Sequence, residues 1–178
     1  MDSSLSPQAA APTTTAIGMR YGLLTGLVGI VFSLALNLTN MQDSDVRWLG
    51  MAITITGLWL AHAEYKKQNG GFMEYGQGLS IGMVLSAVSG LLNGVFMYVY
   101  TAFVDPKLMA GALEKSRAQM EAKGNMSEEQ IEQGLAMAAK FMTPGALFII
   151  TIIFSLIMGL VLSLIMSAIT KNSRPEFE

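Results

Sequence analysis

Cysteine is absent from this chain of 178 residues, and histidine occurs once. The first absence removes disulfides, thiolate nucleophiles and thiol-bound metals together. The second leaves His62 without the partners that a three- or four-ligand metal site requires. Charge is scarce as well: 13% of residues are Asp, Glu, Lys or Arg, about half the usual share of a soluble domain. With 11 basic against 13 acidic residues and no basic tract, the chain presents no electrostatic footprint to a phosphate backbone, so nucleic acid is not expected as a partner. No ionisable residue stands in the middle of an apolar run, where proton relays and ion-coupled transporters place one. No glycine-rich phosphate loop follows a strand, because no segment reads as a strand. Serines abound, but none has a His–Asp pair to activate it. Catalytic residues, cofactors and metals are therefore all expected to be none.

What the chain does have is long apolar runs. They cover residues 17–38, 48–65, 78–104 and 144–169, each about 18 residues or more, enough to cross a hydrocarbon core of roughly 30 Å as a helix. Trp48 and Tyr65 bracket the second run as interfacial aromatics do. The fold class expected is all-α: a polytopic membrane protein with four transmembrane helices and a hydrophilic, amphipathic helical hairpin between helices 3 and 4. Residues 1–16 read as a disordered tail, 17–171 as the membrane domain, 105–143 as its insert and 172–178 as a C-terminal tail. The tail before the first run has no basic n-region, so it does not read as a signal peptide.

Small residues recur at four-residue spacing within the runs. Helix 1 has Gly18, Gly22 and Gly26; helix 3 has Gly78, Gly82, Ser86, Gly90 and Gly94; helix 4 has Thr151, Ser155, Gly159, Ser163 and Ser167. In lipid the hydrophobic effect does little to bring helices together, and such faces allow the close backbone approach that does. They are expected to pack helices within the subunit; the alternative is an interface with a second copy. Asn93, beside Gly94 in helix 3, is a candidate for a polar core contact with a neighbouring helix, or for the lining of a substrate path.

The insert opens with Asp105-Pro106, a capping residue followed by the residue favoured at a helix start. Gly124 ends the first insert helix, and Ser127 with Gln130 forms a capping box that opens the second. Met109, Leu113, Ser116 and Met120 line one helix, and Ile131, Leu135, Ala138 and Met142 the other. Such stripes need a cover. The candidates are each other, the membrane surface or a partner protein. Met109, Leu113, Met120, Ile131 and Leu135 are the candidate docking residues, since methionine-rich surfaces adapt to partners.

The stretch KKQNGGFMEYGQGLSIGMVLSA, the exit YTAFVDP from helix 3, the acidic MSEEQIE of the insert and the restart at Pro144 together resemble a four-span membrane family common in Bacteroidota, catalogued as domain of unknown function 4199. The resemblance runs from about Ile17 to Lys171, with Gly70, Gly71, Gln77, Asp105 and Pro106 as its characteristic positions. It implies a bacterial inner membrane location and no activity. Two functions compete. One is a non-enzymatic membrane subunit or scaffold, docking a membrane protein partner or a second copy through the insert. The other is a small oligomeric transporter or channel using the glycine-rich helix 3. Lys66, Lys67, Lys171 and Arg174 hug the membrane on the side of the termini, which places both termini in the cytoplasm.

Overall fold

The computed structural model describes residues 13–39, 41 and 44–174. They form helices α1 (Thr14–Leu38), α2 (Leu49–Gln68), α3 (Tyr75–Val99), α4 (Lys107–Lys123), α5 (Glu128–Phe141) and α6 (Pro144–Thr170). A 3-10 turn, Asp45–Trp48, leads into α2, and a π-helical turn, Tyr100–Val104, follows α3. The fold is all-α, as expected. The first helix starts earlier than the run of apolar residues: Thr13 caps it, its side chain accepting from the Ala16 amide at 3.2 Å. Residues 14–16 therefore belong to α1 and not to a tail. Residues 1–12 lie outside the described residues.

Three helical segments are long and apolar enough to cross a membrane: Thr14–Leu38, Tyr75–Val104 and Pro144–Thr170. Four were expected, and by length and composition the second run does not qualify. The second run fails because its helix extends beyond the apolar residues, and its last two turns carry His62, Glu64, Lys66 and Lys67.

By contacts the chain divides into two units, one made of residues up to Ser89 together with those from Leu156 onward, the other of residues 90–155. In the first, α1 and α2 run antiparallel. Phe32 lies against Gly50 at the far end, and Thr25 fills the space beside Gly57. On its other side α1 meets α3, where side chains built on Gly18 and Gly22 would stand within 3 Å of Val84 and Val88. Ile17, Leu58, Ala61, Tyr65, Met73, Ile81 and Leu85 form the apolar core, with Tyr21, Leu162 and Met166 against it. It gathers where α1 and α3 begin and α2 and α6 end.

Two devices close this end of the unit. Gly70 and Gly71, at φ 66° and 90°, take the left-handed backbone that turns α2 into α3. Past α6, Met73 and Asn172 exchange both backbone hydrogen bonds at 2.8 Å, and the Asn172 side chain donates to Gly71 O at 3.0 Å. The outer faces are apolar. Leu23, Leu27, Val31, Ile157, Ile165 and Ile169 are exposed, and only 11% of the most apolar window of α6 is buried. That is the surface of a protein solvated by lipid.

In the second unit, Thr101 in the π turn is fully buried and donates to Met97 O at 2.7 Å. Asp105 accepts from the Lys107 amide at 3.1 Å and Pro106 is the capping residue of α4. Gly124 ends α4 at φ 65°, and Ser127 and Gln130 complete both halves of the capping box on α5.

Candidate functional site

Two places in the molecule combine ordered geometry with chemistry. The first is a buried polar node in the first unit. His62 on α2 is fully buried. Its Nε2 lies 3.0 Å from the Gly78 carbonyl of α3, and its Nδ1 lies 2.8 Å from the Thr170 hydroxyl of α6. A carbonyl only accepts, so Nε2 carries a proton and donates. The Thr170 hydroxyl also lies 2.6 Å from Met166 O. Its single proton can serve the imidazole or the carbonyl, not both at once. Lys66 donates to Thr170 O at 3.2 Å, a cation on the open carbonyls at the end of α6. One imidazole thereby ties three helices together where the sequence places polar residues at helix ends. No sequence signal joins these residues, because His62 and Thr170 are 108 positions apart.

Next to the node, α3 and α6 interlock through their small residues. A Cβ on Gly78 would stand 2.7 Å from Ser167 Oγ, and one on Gly82 would collide with Ser163. One step further the roles reverse, and Gly159 of α6 receives Ser86 of α3. Ser163 and Ser167 are fully buried, and among the described residues their hydroxyls have no hydrogen-bond partner. Each oxygen instead lies close to the place that a Cβ would take, where a glycine Cα–H can meet it. Such Cα–H···O contacts are weak but recur where helices approach closely. Neither hydroxyl bonds to His62, whose ring partners are Thr170 and Gly78. In the second unit Gly90 lies against Ser155, and Gly94 against Phe148 and Ile152. Asn93 is half-buried and not without a polar partner. Gly22 and Gly26 are buried on α1.

The second place is the α4–α5 pair. Arg117 Nε bonds Glu121 Oε1 at 2.9 Å within α4 and reaches Glu128 of α5 at 3.9 Å. These groups are exposed, and such pairs contribute little. Met120 packs on α5 at Gly134, 3.6 Å from the position of a Cβ. Of the expected docking residues, Ile131 is buried, while Met109, Leu113, Met120 and Leu135 are half-buried. The stripes thus partly cover each other. The exposed large apolar side chains of α5 are Met137 and Phe141, at 66% and 58%. They are four residues apart on one side of α5, off the stripe read from the sequence, and a full wheel of the helix would have shown them.

Among the described residues, no three His, Cys, Asp or Glu side chains come together in a way that could hold a metal. No curated protein and no solved structure matches the chain. A family described as protein of unknown function (DUF4199) matches residues 20–172, covering both the node and the α4–α5 pair. The chain belongs to that family.

Proposed function

We propose that this protein is a non-enzymatic subunit or scaffold of a bacterial inner membrane, and that the α4–α5 hairpin docks a membrane protein partner. The observation that carries this reading is the combination of order and exposure in the pair. Its turn is fixed by Gly124 and by the Ser127–Gln130 capping box, while Met137 and Phe141 stand in the open. An ordered segment this long between two apolar helices serves a purpose beyond joining them. In this reading α2 is a fourth span, lying along α1 with Lys66 and Lys67 at the interface, and both termini are cytoplasmic with the hairpin on the opposite side. The transporter alternative draws no support from α3, where Gly78, Gly82, Gly90 and Gly94 receive side chains of α6.

The test replaces residues 107–140 with a short Gly/Ser linker, and in a second variant changes Met137→Glu and Phe141→Glu. Both proteins should insert and purify from mild detergent with normal yield, and both should lose the proteins that co-purify with the intact chain. Retention of the same companions by both variants would end the docking reading.

A further inference from the structure

Between α1 and α2 the first unit carries an open apolar groove of about 460 Å³. Gly57, Ala52 and Thr25 are among the residues that line it, and Thr25 lies against Gly57 where the two helices come close. Tyr21, Phe32 and Leu60 are among its walls. The lining runs from Tyr21 to Phe32 on α1 and from Leu60 back to Leu49 on α2. About eleven steps at the helical rise amount to roughly 16 Å, about half of a 30 Å hydrocarbon core. The groove therefore has the depth of a single leaflet.

One end of it is charged. Arg20 is exposed, and its guanidinium lies 6.0 Å from the centre of the Tyr21 ring, which is itself a groove wall. Among the described residues no carboxylate stands within ion-pair distance of Arg20. Arg20 sits in the second turn of a membrane-crossing helix, where a long cationic side chain reaches up to the headgroups. A guanidinium fork matches phosphate oxygens in geometry as well as charge. We infer that the α1–α2 groove holds one acyl chain of an anionic glycerophospholipid, with Arg20 binding its phosphate. A neutral lipid would fill the groove equally well but would lack the net charge that Arg20 selects. A second copy of the chain would need an acidic group to meet Arg20.

The experiment uses native mass spectrometry of the full-length protein, equilibrated with equimolar phosphatidylglycerol and phosphatidylcholine of identical acyl chains. One charge-assisted bond should favour retention of phosphatidylglycerol by about tenfold. Arg20→Gln should bring the two lipids to near parity. Thr56→Trp, which fills the groove from an exposed position on α2, should reduce retention of both. Arg20 is exposed and the readout is a ratio within one sample, so altered yield does not confuse it. An undiminished preference in Arg20→Gln would overturn the proposal, as would undiminished retention in Thr56→Trp. A lipid-free dimer that Thr56→Trp splits would show instead that the groove is an interface between copies.

Discussion

At Gly82 the hydroxyl of Ser163 occupies the place where a side chain would begin, and at Gly159 the hydroxyl of Ser86 does the same in the opposite sense. This exchange lets α3 and α6 approach more closely than any larger residue would permit. It gives a prediction with a built-in control. Gly82→Ala forces Ser163 or a backbone to move and should cost about 1–3 kcal/mol. Gly76→Ala meets open space in the same helix and should be neutral or slightly stabilising. Thermal unfolding in one detergent compares the two, and equal melting temperatures would show that the Gly82 contact is not tight. The glycine stripe was legible in the sequence because four-residue spacing is a local property. Its partner was less so, since Ser155, Ser163 and Ser167 could as well have faced a second copy. The His62 node was not legible at all: its bonds run to α3 and α6, and burial of the ring depends on where those helices lie.

At the scale of elements, local chemistry again carried furthest. The Ser127–Gln130 box and Gly124 were readable as caps because their donors and acceptors lie within three residues. Ser127→Ala should leave α6 untouched and weaken the start of α5 by about 1 kcal/mol. Hydrogen exchange would report this as faster exchange confined to the amides of Gln130 and its neighbours. Unchanged rates there would mean that tertiary contacts, not the cap, hold the first turn. Boundaries were read less well. Apolar runs located α2 but hid its last turn, Lys66 to Gln68, because polar residues extend a helix without extending its hydropathy. The start of α1 was displaced for the same reason, Thr13 and Thr14 being a cap and first turn outside the apolar stretch.

At the scale of the whole molecule, the outer surface and the helix lengths make this a protein built for lipid, with three helices apolar enough to cross unaided. The central proposal is that α2 crosses too. Phe32 beside Gly50 and Thr25 beside Gly57 place it antiparallel along the membrane-crossing length of α1, and its charged residues all fall in its last two turns. A helix held at that depth by a neighbour does not need the hydropathy of one that inserts alone. Because the chain contains no cysteine, single-cysteine variants at Thr39, Asn69 and Ser173 can be labelled from either side of the membrane on a clean background. The account predicts that Asn69→Cys and Ser173→Cys react from one side and Thr39→Cys from the other. Reaction of Thr39→Cys and Asn69→Cys from the same side would contradict it, because α2 would then lie on the membrane surface instead of crossing.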